Sequence, residues 1–140
     1  MPQPDPTHEA TAQPLDVYCN LQRGGLSARA TRGPAAGRVV RHAGQAVISA
    51  ARMRVEPGGR ARARRTGQRN VHAFVRGVVD FQADAAALLG RADAVVLRYN
   101  PFELDGFTAP DGRAVIGAAQ VAIVGKRMVA FEPQYQQPAA

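Results

Sequence analysis

The fold is decided by NVHAFVRGVVDF, residues Asn70 to Phe81, in which apolar side chains recur at the two-residue period of a β-strand. The positions predicted to face the core are Val71, Ala73, Val75 and Val79, and those on the opposite face are His72, Phe74 and Arg76. Gly77 has no side chain and would permit a bulge within the strand. A strand with one apolar and one polar face is typical of an antiparallel sheet.

Short strands are also predicted on both sides of this segment. They cover Leu15–Leu21, Leu26–Ala30, Arg38–Ala43, Ala46–Val55, Val95–Tyr99 and the two halves of Gln120–Phe131, which divides at the hairpin pair Gly125-Lys126. One helix is predicted over Asp84–Gly90, because Asp84 can cap its start and Gly90 stands where C-terminal glycines occur. Most connections are too short for parallel crossovers, so we expect a β-dominated α+β fold, an antiparallel barrel or sandwich of about eight short strands with one or two short helices.

Length and composition indicate one domain. The chain has 140 residues with 46% hydrophobic content, which is enough for a core over residues 15–132. Residues 1–14 are polar and rich in proline, and we expect them and residues 133–140 to be flexible tails. A single cysteine, Cys19, excludes an intrachain disulfide and a cysteine-based zinc site. No apolar run is long enough to span a membrane and no signal peptide is visible, so we expect a cytoplasmic protein.

Positive charge is concentrated in the segment from Arg52 to Arg76. Its arginines are Arg52, Arg54, Arg60, Arg62, Arg64, Arg65, Arg69 and Arg76. Glu56 is the only acidic residue among them, so the segment carries the +7 of the whole chain, and the remainder balances ten basic residues against ten acidic ones. A focused patch of this kind attracts phosphates.

The arginine segment is predicted to be exposed and to bind a polyanion. Either a strand or a short helix over Arg60–Arg69 leaves the guanidinium groups in water, and an irregular arm would do the same. Guanidinium forks pair with phosphates, and His72 and Phe74 directly after the segment could stack on bases. The alternative is an ordinary solvated face with Phe74 in the core.

A second candidate site lies at the end of the strand Val95–Tyr99. The residues that could contact a small nucleotide are Arg98, Tyr99, Asn100 and Phe102, together with His72. They combine a cation, an amide and aromatic rings at a strand end, where sites commonly occur. The alternative is that the aromatic rings close one end of a barrel.

Evidence for catalysis is weaker than evidence for binding. His42 and His72 could act as general acid and base on a phosphodiester, but Gly44 and Phe74 stand where paired-histidine phosphoesterases carry serine or threonine. The histidines show no metal-ligand spacing, and no nucleophile elbow, Walker loop or dinucleotide motif is present. We therefore expect no cofactor and no metal, and favour a protein that is not an enzyme.

Four segments together resemble a known family. They are Asn70-Val71-His72-Ala73-Phe74-Val75-Arg76-Gly77, Tyr99-Asn100-Pro101-Phe102, Val17-Tyr18-Cys19-Asn20-Leu21 and Gly37-Arg38-Val39-Val40-Arg41-His42-Ala43. Over about residues 15–131 they resemble a family of small proteins encoded by bacteriophages and prophages. The resemblance implies an accessory protein that acts inside a bacterium, on host nucleic acid, a nucleoprotein defence complex or a nucleotide signal.

Three functions follow as expectations. The first is a non-enzymatic protein that binds nucleic acid or a host nucleoprotein through its arginine patch. The second is a sponge that sequesters a small nucleotide signal, and the third is a phosphodiesterase that depends on His42 and His72.

Overall fold

The computed structural model describes residues 13–20, 24–56, 61, 65, 73–99 and 107–136. Within these residues the chain forms nine strands and one short helix. The strands are β1 (Pro14–Cys19), β2 (Leu26–Ala30), β3 (Val39–Ala43), β4 (Gln45–Val55), β5 (Ala73–Asp80), β6 (Val95–Tyr99), β7 (Phe107–Thr108), β8 (Val115–Val124) and β9 (Arg127–Tyr135). Helix α1 (Ala85–Leu89) lies between β5 and β6, and the Asp84 side chain caps it by accepting a hydrogen bond from the Ala87 amide.

The strands pair in the order β3-β2-β1-β5-β4-β8-β9-β6-β7, and every pairing is antiparallel. The β-dominated antiparallel fold expected from the sequence is confirmed. The strands form one open sheet, because β3 and β7 stand at its two edges and do not pair with each other. A closed barrel is therefore not formed.

One face of the sheet curls around the main core. This core takes buried side chains from every strand except the edge strand β3. The curling brings distant parts of the sheet together, since the Cys19 thiol lies 3.5 Å from the Gly125 carbonyl although β5 and β4 separate β1 from β8. The Gly125 amide also donates to the Gly44 carbonyl at 3.1 Å, which ties the β8–β9 turn to the start of β4.

The other face of the sheet is only partly covered. Helix α1 packs there through Ala85 and Leu88 on a second, smaller cluster. The sheet residues in this cluster are Val47, Ala122, Val129 and Phe131. The central strands are thus buried on both sides where they meet the helix.

A bulge in β4 reverses which residues face the core. Ala46 and Ile48 point into the main core before the bulge, and Ala51 and Met53 point into it afterwards. The extra residue lies between Ser49 and Arg52, where Ala50 has a positive φ of 50°, and it stands opposite Gly77 in β5. Because successive side chains of a strand point to opposite faces, the one added residue places Arg52 and Arg54 on the face away from the main core.

The C-terminal boundary differs from the prediction. Residues 133–140 were expected to be a flexible tail, but β9 continues to Tyr135 and pairs with β8 over this range. The reason is that Tyr135 packs against the main core and the Arg113 guanidinium lies 3.7 Å from the centre of its ring. At the other end, β1 begins at Pro14, and most of the predicted N-terminal tail lies outside the described residues.

Helices that could span a bilayer are absent from the described parts of the chain.

Candidate polyanion-binding surface

Four charged residues from four neighbouring strands form a cross-strand row. Arg52 of β4 stands opposite Arg76 of β5, Arg76 opposite Asp16 of β1, and Asp16 opposite Arg29 of β2. The row lies on the face away from the main core, since the adjacent residues along these strands, such as Met53 and Val75, pack into that core. We call Arg52, Arg76, Asp16 and Arg29 the charged row.

Asp16 and Arg76 form the fixed centre of the charged row. Asp16 is only 4% exposed, and Arg76 donates to it twice, from Nε to Oδ1 at 2.7 Å and from Nη2 to Oδ2 at 2.9 Å. This hydrogen bonding raises the pKa of Arg76 above its ordinary value, against the opposing effect of partial burial. Arg76 was predicted as a polyanion contact, and its charge is already balanced by this internal carboxylate.

Arg29 ends the charged row and was not identified from the sequence. Its Nη2 donates to Glu56 Oε1 at 2.7 Å, while Asp16 Oδ2 lies 4.0 Å away. The guanidinium is 4.2 Å from the centre of the Phe74 ring, and its Nε is buried without a hydrogen-bond partner. No local sequence signal marks Arg29, because its neighbours come from strands distant in the chain.

Phe74 is fully buried beneath this network. Its ring is covered by Arg29 and packs nearly perpendicular to the ring of Tyr18, with ring centres 5.7 Å apart and planes at 86°. The two sequence interpretations of Phe74 were a stacking surface for a base and a core residue. Its burial leaves no ring face exposed to a base, so Phe74 takes no part in the surface proposed below.

Arg52 and Arg54 are the exposed cations of this region. Both project from β4 after the bulge, and neither forms an ion pair with a carboxylate of the described residues. Arg65 is exposed and has helical backbone conformation. The other predicted contacts, Arg60, Arg62, Arg64 and Arg69, lie outside the described residues, as does His72.

The second candidate site lies near the opposite end of the central strands. Leu97 pairs with Met128, so Arg98 and the Tyr99 backbone lie beside the turn between β8 and β9. That turn is level with Gln45 at the start of β4, whereas Arg52 is seven residues further along β4, a separation of roughly 20 Å. Asn100 and Phe102 lie outside the described residues. The described residues of the second site, Arg98 and the Tyr99 backbone, therefore lie apart from Arg52 of the first.

His42 is held by a buried hydroxyl group. Its Nδ1 lies 3.0 Å from Oγ of Ser27, a residue with no exposed surface, and the same Oγ accepts a hydrogen bond from Asn20 Nδ2 at 3.1 Å. The Ser27 hydroxyl therefore holds the His42 ring in place from inside the fold. Ser27 is inaccessible to a substrate and His72 is not described, so the convergence of His42 and His72 stays a prediction.

The Cys19 thiol and the potential metal-ligating side chains are the remaining groups with possible chemical roles. Burial raises the pKa of the Cys19 thiol to about 11, which keeps it protonated near neutral pH. No three histidine, cysteine or acidic side chains gather as metal ligands in the described ranges.

The geometry above belongs to a chain with recognisable relatives. A family model described as the Mycobacterium phage L5 gene 82 protein matches residues 8–131. The chain belongs to this gene 82 family. The expected relationship to phage-encoded proteins is thereby confirmed, and the matched range includes the whole charged row. No curated protein and no solved structure matches this gene 82 family member.

Proposed function

We propose that this gene 82 family protein is a phage-encoded, non-enzymatic binding protein that engages nucleic acid through the arginines of the Arg52–Arg76 segment. The observation that supports it most is the outward projection of Arg52 and Arg54, with no described carboxylate to balance them. Inside the host, the nucleic acid could be free or part of a nucleoprotein complex, including one that defends the bacterium.

The register of β4 and β5 brings the two ends of the arginine-rich connection next to Arg54. Val55 pairs with Ala73, so the connection of residues 56–72 begins and ends on adjacent strands beside Arg54. By sequence this connection carries Arg60, Arg62, Arg64, Arg65 and Arg69. Two exposed arginines of the sheet and five of the connection would thus be available to one ligand.

Direct pairing with phosphates accounts for this arrangement. Arg52 stands directly opposite Arg76, whose charge is balanced by Asp16. Arg52 itself forms no ion pair with a described carboxylate, so a phosphate near it would balance its charge, and the guanidinium fork matches two phosphate oxygens.

Salt dependence provides the first test. The full chain is titrated against a fluorescein-labelled 20-nucleotide DNA, single-stranded and duplex, and binding is followed by fluorescence anisotropy between 50 and 200 mM salt. Six or more phosphate contacts would lower the affinity about a thousandfold or more over this range, since each contact releases counterions. An affinity that is independent of salt, or no binding to either DNA or to the matching RNA, would reject the proposal.

A matched pair of variants locates the surface. The test variant is R52Q/R54Q, and the control is K126Q/R127Q, which removes the same charge from an exposed turn at the other end of β4. Two lost phosphate contacts should reduce the slope of log affinity against log salt by about two, whereas the control should keep the original slope. Equal losses in both variants would show general charge attraction without a defined surface.

Replacing the connection tests its contribution directly. Because Val55 pairs with Ala73, residues 57–72 can be replaced by Asn-Gly, which leaves Glu56-Asn-Gly as a three-residue hairpin loop. We expect a folded protein whose binding is reduced to the weak contribution of Arg52 and Arg54. Unchanged affinity would remove the connection from the binding surface.

A further inference from the structure

The Asp16–Arg76 and Arg29–Glu56 ion pairs differ in how firmly they are held. Asp16 is buried and joined to Arg76 by two hydrogen bonds, so breaking that pair would leave an uncompensated charge inside the protein. Glu56 reaches Arg29 through one contact, and its side chain is 37% exposed. An exposed pair of this kind contributes little to stability and can exchange its partner.

Arg29 is positioned to receive an anion. Its guanidinium carbon lies 4.2 Å from the centre of the buried Phe74 ring. Among the described carboxylates, Glu56 accepts a hydrogen bond from Arg29 at 2.7 Å, whereas Asp16 lies 4.0 Å away and accepts its two short hydrogen bonds from Arg76. A planar, pre-oriented guanidinium loses less conformational freedom when it binds an oxyanion.

The position of the Glu56 carboxylate is favourable for a negative group. Hydrogen bonding to Asp16 is the main cause of the raised pKa of Arg76, and the negative charge of Glu56 adds to it. Glu56 thus interacts with Arg29 and with Arg76 at once. By sequence, Glu56 is also the only acidic residue between Arg52 and Arg76, at the point where the basic connection leaves β4.

We propose that Arg29 is a further phosphate-binding residue of this surface, and that the Glu56 carboxylate occupies the phosphate position until nucleic acid displaces it. The proposal rests on the nucleic-acid binding proposed above and extends the surface from β4 and β5 to β2. Glu56 then acts as an internal competitor that lowers the affinity for weakly charged ligands.

The test compares two substitutions that change the net charge equally. E56Q removes the competing carboxylate, and D93N removes the carboxylate of the exposed Arg91–Asp93 pair, which lies between α1 and β6. We expect E56Q to bind the labelled DNA about two- to fivefold more tightly than D93N does, the range set by the strength of an exposed ion pair. Thermal unfolding of each variant shows that the comparison is made on folded protein.

A double-substitution cycle shows whether the gain passes through Arg29. R29Q should weaken binding, and E56Q added to R29Q should bring no further gain over D93N added to R29Q. If E56Q and D93N bind equally, or if the gain of E56Q persists without Arg29, the inference is wrong although the protein still binds DNA. If the unaltered protein binds no nucleic acid, the proposed function itself fails first.

Discussion

Gly77→Ala is expected to destabilise the protein because the position facing the β4 bulge has no room for a methyl group. A Cβ at Gly77 would lie 2.5 Å from Ile48 Cγ2, 2.6 Å from the Ser49 carbonyl oxygen and 3.4 Å from that of Ala50. Ile48 is fully buried and the Ser49 oxygen belongs to the backbone, so neither can move without disturbing the sheet. Overpacking of this kind costs about 1–3 kcal/mol.

An effect of the substitution on the unfolded state offsets part of this destabilisation. Replacing glycine by alanine restricts the unfolded state, which favours folding by about 0.4–1 kcal/mol. The net loss in the free energy of unfolding is then up to about 2.5 kcal/mol, which lowers Tm by up to roughly 10 °C in a domain of this size. Thermal unfolding followed by circular dichroism measures the change.

Gly44→Ala is the matched control. A Cβ at Gly44 meets no atom within 4 Å, and its φ is not positive, so the substitution should keep or slightly raise Tm. Should Gly77→Ala unfold at or above the temperature of the unaltered protein, the close approach of β5 to the bulge would be refuted. The outward direction of Arg52 and Arg54 would then need another explanation.

Two further results are expected. Asp16→Asn should lower the free energy of unfolding by about 2–3 kcal/mol in urea, because it weakens a buried pair whose Arg76 partner remains partly solvated, whereas Asp93→Asn should change it by under about 0.5 kcal/mol. Cys19 should react with iodoacetamide at pH 8 at least about a hundredfold more slowly in the folded protein than in urea, because burial raises the pKa of its thiol from 9.0 to about 11 and blocks access. Labelling at equal rates in both conditions would contradict the burial of the thiol.

Local patterns in the sequence were sufficient for most of the secondary structure. The alternation of apolar and polar residues predicted β5, and the hairpin pair Gly125-Lys126 predicted the turn between β8 and β9. Asp84 and Gly90 predicted the limits of α1. These signals act over a few neighbouring residues, so each can be recognised without knowing the rest of the fold.

The candidate surface depends on contacts that no local pattern encodes. The bulge at Ala50 lies in an alanine-rich stretch, where nothing in the side chains marks the change of face. The pairing of Asp16 with Arg76 joins residues sixty positions apart, and it follows only from the strand order. The alternation pattern correctly predicted that Phe74 lies on the same face of the sheet as the charged row. It did not predict that Arg29 covers the ring and leaves it inaccessible to a ligand.

The pairing of Val55 with Ala73 also bears on how relatives of this protein could diverge. Since both ends of the connection are fixed on adjacent strands, its length is weakly constrained, and each doubling adds only about 0.6 kcal/mol of closure entropy. Insertions or exchanges here would leave the strand pairing intact. The hairpin is therefore a natural graft site, at which one scaffold can display sequences suited to different targets.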